Sequence, residues 1–168
     1  LGLEHPELFA RMAAELADGD PVAAQEAPFT DAFVKETLRL RPPAAAVLRR
    51  TVRPVEVAGF GLPARSRVAL SVLETHRDPD VFDEPLAFRP ERFLDATFDP
   101  FAYLPFGYGA RHCIGAGTST ALIKTALATL LGGYTVSGVS EPRYVAEGMT
   151  LHPRGGLPVR LTAKGSLR

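Results

Sequence analysis

Cysteine is almost absent: Cys113 stands alone among 168 residues. That excludes an internal disulfide and any cysteine-rich zinc site. Neither sign of charge is in excess, since 19 basic and 19 acidic side chains give a formal net charge of zero. Such a chain builds no positive field of the kind nucleic-acid binding needs, so no nucleic-acid partner is expected. No apolar run approaches the roughly 18 residues of a membrane span, and no signal peptide is visible. Lysine is rare, confined to positions 35, 124 and 164, so arginine dominates the basic set. The chain opens on Leu1 rather than methionine. It reads as the continuation of an upstream region in which an anchor remains open.

What is present suffices for one modest core, with 46% hydrophobic and 23% charged residues. Leu8, Phe9, Met12 and Leu16 fall at helical spacing, with Pro6 suited to an early helical position and Asp18-Gly19-Asp20-Pro21 ending the run. A second helix is expected from about Asp31 to Leu40, with Thr30 as N-cap, Phe29 stapled onto Val34, and Arg41-Pro42-Pro43 as the stop. Val52, Val55 and Val57, the turn Gly59-Phe60-Gly61-Leu62-Pro63 and the apolar run Val68 to Leu73 read together as a small twisted hairpin. From Asp78 to Pro105 no period is visible, so specific contacts must pin that segment. A long apolar helix fits Gly115 to Leu131. Leu122, Ile123, Ala126, Leu127, Leu130 and Leu131 are available for burial in it, and Gly132-Gly133 ends it. The tail from Tyr134 to Leu161 reads as short strands and turns. The expected class is mainly α with small β-sheets.

The chemistry concentrates in Phe106-Gly107-Tyr108-Gly109-Ala110-Arg111-His112-Cys113-Ile114-Gly115. Cys113 precedes the expected long helix, whose unpaired N-terminal amides and dipole favour a thiolate. Gly107, Gly109 and Gly115 permit a tight loop and close approach to a flat ligand. Arg111 can pair with a carboxylate, and Phe106 can keep the sulfur dry. A glycine-rich turn around a structural cysteine is the bland alternative.

This run resembles the heme signature of the cytochrome P-450 family, F-x-x-G-x-R-x-C-x-G, at every fixed position. Glu36-Thr37-Leu38-Arg39 resembles the family's E-x-x-R helix motif, and Phe88-Arg89-Pro90-Glu91-Arg92-Phe93 its P-E-R-F segment. The resemblance covers essentially the whole chain. It implies the C-terminal part of the cytochrome P-450 fold, residues 1–168 forming one heme-binding portion whose N-terminal half and long distal helix lie outside the sequence. It also implies a heme-thiolate monooxygenase as the parent protein, with this portion inactive alone. Heme b would be held by Cys113 as iron ligand, with Arg111 on one propionate and Arg49, in preference to Arg50, on the other. Phe106, Gly107, Gly109 and Gly115 would form the loop around it. Glu36, Arg39 and Arg92 would make a buried, fully paired charge cluster. Ala45, Ala46 and Val47, following Ala44, would join Met149 and Thr150 as substrate contacts, suited to a lipophilic small molecule. His76 in His76-Arg77-Asp78-Pro79 would be structural, not an axial ligand.

The resemblance further implies electrons from NAD(P)H through a redox partner, either a reductase or a ferredoxin. His76-Arg77-Asp78-Pro79 and the P-E-R-F segment lean towards a diflavin reductase. A soluble bacterial cytoplasmic protein is the expected setting. One departure concerns the helix after Cys113, where the family often has F-A and then Glu. Thr118, Ser119 and Leu122 stand there instead, which leaves the redox-partner surface open. A non-catalytic or split homologue acting as scaffold or activator is the competing reading. A c-type heme carrier is remote, because the C-x-x-C-H attachment is missing.

Overall fold

The computed structural model describes residues 1–138, 143–147 and 150–165. Two helices form the frame. Helix α1 runs Pro6–Glu15 and helix α2 runs Pro28–Leu40, each opening on proline, whose missing N–H costs nothing in a first turn. Thr30 is therefore not the N-cap expected of it. It lies inside the first turn of α2, because Pro28 starts the helix earlier. The orphan amides of that turn are met by Glu15 instead. Its carboxylate accepts from Phe29 N–H at 3.1 Å, Thr30 N–H at 2.7 Å and Thr30 Oγ at 2.7 Å. An anion at a helix N-terminus also suits the dipole. Phe29, expected to staple from outside, is the second residue of α2 and meets Phe33 at 6.4 Å between ring centroids.

The expected single hairpin is a long ribbon in two ladders. Strand β1 (Ala46–Arg50) pairs antiparallel with β4 (Arg67–Ser71), and β2 (Val55–Val57) pairs with β3 (Phe60–Leu62). The turn is not Gly59 to Pro63 but Ala58-Gly59, at φ of 50° and 81°. Two central residues at positive φ match the right-handed twist of the flanking strands. Val52 lies outside both ladders, and Val72 leaves the strand to begin the short helix α3 (Val72–Thr75). The segment from 78 to 105 holds only one helical turn, α4 (Arg92–Asp95). Aromatic packing fixes it: Phe98 lies 4.8 Å from the Phe82 ring and 5.0 Å from Phe93, and Phe93 lies 4.9 Å from Tyr103.

Helix α5 runs Ala116–Gly133, so the two glycines expected to end it are its last residues. Its C-terminal half enters the core through Ala128 and Leu131, which join Met12, Leu16, Phe29, Phe33, Leu40 and Phe88. Its outer face departs from expectation. Leu122 is 63% exposed, and Ile123 and Ala126 are also exposed. The side chain that turns inward is Lys124, whose Nζ donates to Gln25 C=O at 3.2 Å and pairs with Asp31. Burial alone would raise the Asp31 carboxyl, but hydrogen bonds from Lys124 and Lys35 hold it below its ordinary value. Strand β5 (Tyr134–Gly138) pairs with β8 (Val159–Ala163), and β6 (Tyr144–Glu147) with β7 (Thr150–Pro153). The architecture among the described residues is therefore helices with four two-stranded sheets. No helix in them is long and apolar enough to cross a membrane.

Glycine is required at Gly132 for packing rather than for a turn. A Cβ there would stand 2.5 Å from the Gly19 Cα and 2.9 Å from its N. Backbone atoms cannot swing aside, so Gly132→Ala is expected to destabilise the chain by about 1–3 kcal/mol. The urea midpoint reads this directly, and an unchanged midpoint would show that the turn at Gly19 can move away from α5 freely.

Candidate functional site

The site is built outward from α2. Glu36 and Arg39 lie one helical turn apart on its inner face and are both 0% exposed. Arg39 Nε donates to Glu36 Oε2 at 2.7 Å and Nη2 to Oε1 at 2.8 Å, a two-pronged pair. The remaining Arg39 donors go to backbone carbonyls of the following segments: His76 at 2.7 Å, Pro85 at 2.7 Å and Ala87 at 3.0 Å. Glu36 Oε1 also accepts from Arg89 N–H at 2.8 Å and from Arg92 Nε at 3.2 Å. Arg92 Nη1 continues to Asp83 C=O at 3.0 Å. The structure thus brings Glu36, Arg39 and Arg92 into one cluster that gathers the irregular segment around α2. It departs from full pairing at one atom, Arg92 Nη2, which is buried without a hydrogen-bond partner among the described residues.

His76 adjoins the cluster and is buried. Its Nδ1 lies 3.2 Å from Arg39 C=O, and its Nε2 accepts from Leu104 N–H at 2.9 Å. The ring stacks on Tyr103 at 5.3 Å, and Tyr103 O–H donates to Lys35 C=O at 3.0 Å. Burial pushes the imidazole pKa down to about 4, and the nearby Arg39 charge acts the same way against the hydrogen bond to Arg39 C=O. Burial likewise pushes the Tyr103 phenol well above its ordinary value.

The Cys loop follows Leu104. Gly107 and Gly109 take φ of 72° and 71°, values L side chains rarely adopt, and Gly109–Arg111 forms a single 3-10 turn. Cys113 N–H donates to Phe106 C=O at 2.9 Å, closing the loop just ahead of α5. Cys113 is exposed. Gly115 is not at positive φ (φ −87°, ψ 3°), so its freedom is not what the loop uses there. A Cβ at Gly115 would lie 3.8 Å from Cys113 Sγ, an ordinary contact distance. At Gly109 a Cβ would meet nothing within 4 Å. An open thiol, a guanidinium at exposed Arg111, a half-buried Phe106 and a glycine-floored bend fit a flat, anionic, iron-bearing group such as heme. Ile114, next to Cys113 in the chain, is a fully exposed apolar side chain that the motif does not mark. His112 Nδ1 stands 3.0 Å from Gly107 C=O, inside the loop.

The other candidates are dispersed. Arg49 lies on β1, exposed, with Nη1 donating to Leu48 C=O at 2.9 Å. Ala44 bridges to Thr150, so the half-buried stretch Ala44 to Val47, with Ala45 and Ala46 in it, meets β7. Met149 lies outside the described residues. Thr118 is exposed and Ser119 half-buried on the first turn of α5. Sequence reasoning missed the Asp31–Lys124 pair, whose signal was a lone lysine in an apolar helix. It also missed the Glu15 cap and the double attachment of His76, for which no local pattern exists.

Two outcomes follow. Removing the guanidinium in Arg39→Ala leaves the buried Glu36 carboxylate with Arg92 and Arg89 N–H alone and strands three carbonyls, at an expected cost of about 3–5 kcal/mol. A urea midpoint equal to the parent's would deny the cluster its part in stability. For His76, the folded pKa of about 4 lies below the ordinary 6.5, so the unfolded chain takes up the proton first. Stability from neutral His76 is complete above pH 6.5 and is lost as pH falls towards 4, by about 1.4 kcal/mol per unit and on the order of 3 kcal/mol in all. The difference between parent and His76→Gln unfolding energies, followed from pH 7 to 4, isolates this slope, and a flat difference would contradict it.

Comparison with known proteins agrees with this geometry. The family model described as "Cytochrome P450" matches residues 3–157. "Putative cytochrome P450 137" of Mycobacterium tuberculosis is 35% identical over 160 residues, covering 94% of this chain and 32% of that protein. "Cytochrome P450 3A29" of Sus scrofa is 36% identical over 149 residues, covering 87% of this chain and 27% of that protein. "2-hydroxyisoflavanone synthase" of Glycyrrhiza echinata is 34% identical over 154 residues, covering 83% and 29%. The chain spans about a third of the length of these curated relatives. The match runs through the E-x-x-R helix, the irregular segment and the Cys loop alike, and the chain belongs to the cytochrome P450 family.

Proposed function

We propose that residues 1–168 are the C-terminal heme-binding portion of a heme-thiolate monooxygenase, with Cys113 as the iron ligand. The observation that carries this is the exposed thiol of Cys113, set on a bend with two left-handed glycines at the head of an 18-residue helix. The positive end of that helix dipole suits a sulfur ligand to a metal ion. When bound, heme b supplies the oxygen-activating chemistry, by which one atom of O2 enters a lipophilic substrate.

The chain's own residues do the rest. Cys113 holds the negative charge at Sγ. Gly107, Gly109 and Gly115 leave room for a planar group, and Phe106 and Ile114 offer it apolar side chains. Arg111 pairs with one carboxylate of the heme, and Arg49 with a second. Ala45, Ala46, Val47, Met149 and Thr150 contact the substrate. Glu36, Arg39 and Arg92 hold the irregular segment in place. Electrons derived from NAD(P)H arrive through a reductase or ferredoxin. The remainder of the polypeptide supplies the distal half and its oxygen-activating residues, so this portion alone does not turn over substrate.

The test uses the complete polypeptide. Its reduced, CO-bound form should show a Soret band near ~450 nm, the mark of thiolate ligation. Cys113→Ser should lose that band and at least most heme, and Arg39→Ala should fail to incorporate heme stably. A band unchanged by Cys113→Ser would end the assignment. A complete polypeptide that folds but takes up no heme would favour a scaffold or activator.

A further inference from the structure

One side chain joins the charge cluster to the Cys loop. His76 reaches Arg39 C=O at the end of α2 with Nδ1, at 3.2 Å, and Leu104 N–H with Nε2, at 2.9 Å. An amide can only donate, so Nε2 carries the lone pair and Nδ1 the proton, which is given to Arg39 C=O. From Leu104 the path continues into the loop. Leu104 C=O accepts from Gly107 N–H at 3.0 Å, and Phe106 C=O accepts from Cys113 N–H at 2.9 Å. Among the described residues, no other hydrogen bond ties 104–112 to a residue outside the loop and α5. The imidazole is 0% exposed, so water cannot replace either bond.

We propose that His76 is a positioning residue for the iron ligand: its neutral imidazole measures the distance from α2 to Leu104 and so fixes where Cys113 Sγ stands. The inference rests on Cys113 being the iron ligand. It adds that the loop takes its height from a histidine 37 residues upstream of that cysteine, and not from the glycines alone. The glycines let the loop bend, but they do not say where the bend sits relative to the body of the fold. Arg39, with both ends committed, gives His76 a fixed reference. Its guanidinium holds His76 C=O while its own carbonyl receives the ring N–H, so the two residues grip each other twice.

The test compares His76→Phe with His76→Gln in the complete polypeptide. Phenylalanine keeps a ring against Tyr103 but offers no acceptor, whereas glutamine keeps an acceptor within reach of Leu104 N–H. In His76→Phe, the amides of Leu104, Gly107 and Cys113 should exchange hydrogen about tenfold faster, the scale of losing one hydrogen-bonded anchor. The CO-bound band near ~450 nm should weaken or shift while helix content is kept. In His76→Gln both readouts should stay within about twofold of the parent. A third readout needs no variant: nitrogen-15 NMR of the histidines should show His76 protonated at Nδ1.

Exchange in His76→Phe equal to the parent's, or a glutamine variant as damaged as the phenylalanine one, would overturn the proposal. So would an Nε2-protonated His76, which decides the matter even if neither variant folds. A parent that binds no heme would defeat the iron-ligand reading, while exchange and tautomer would still report on His76.

Discussion

Arg39 has five N–H groups, and each has an acceptor: two on Glu36 and the carbonyls of His76, Pro85 and Ala87. The irregular segment has almost no ladder or helix of its own, so its backbone carbonyls would otherwise be buried unpaired or left to water. A single guanidinium takes two of them, at Pro85 and Ala87, with a third at His76 just before the segment, and is neutralised by a carboxylate on the same helix face. Burying that pair is worthwhile only because no donor is left over. The rest of the arrangement is secondary to it. The aromatic group of Phe82, Phe93, Phe98 and Tyr103 packs where the carbonyls are held, and the Cys loop begins where that group ends.

The Cys loop is organised differently. It has little buried surface of its own, and its shape comes from backbone freedom at Gly107 and Gly109 and from short internal hydrogen bonds. It stands between a rigid cluster and a rigid helix, which is a suitable place for a ligand that must neither drift nor be smothered. On α5 the exposed Leu122, set against the buried Ala128 and Leu131, shows that the helix divides its work. Its far half belongs to the core and its near half faces outward.

Much of this could be read from the residues. Glu36 and Arg39 are three apart and so share a helix face; the glycines and Cys113 announced a bend before a helix; the segment from 78 to 105 announced its own irregularity. Other features could not be read, for physical reasons. Thr30 looked like a cap because its side chain favours that position, but Pro28 two residues earlier sets the start of α2, and Glu15 from another helix takes over the amides. Gly132-Gly133 looked like a stop, but Gly132 answers a contact with Gly19 that no local pattern records. Leu122 and Ile123 looked like core, yet the neighbouring side chain that turns inward is Lys124. Tertiary pairing with Asp31 reversed that, because a buried amine with two oxygen partners outweighs the simple preference for apolar side chains. The Arg49 position and the Ala44 to Thr150 meeting depend on long-range strand pairing, which spacing alone does not encode.

The Glu15 cap also bears on how variation along this chain should be understood. Glu15 is only half-buried and belongs to α1, not to the Cys loop or the cluster, so by position it looks replaceable. Yet it closes the open end of the helix that carries Glu36 and Arg39. A change to lysine there would set a positive charge against the positive end of α2 and uncover three donors together. The tolerance of this position is set by a helix it does not belong to, and an inherited change at Glu15 would be felt first at residues it never touches.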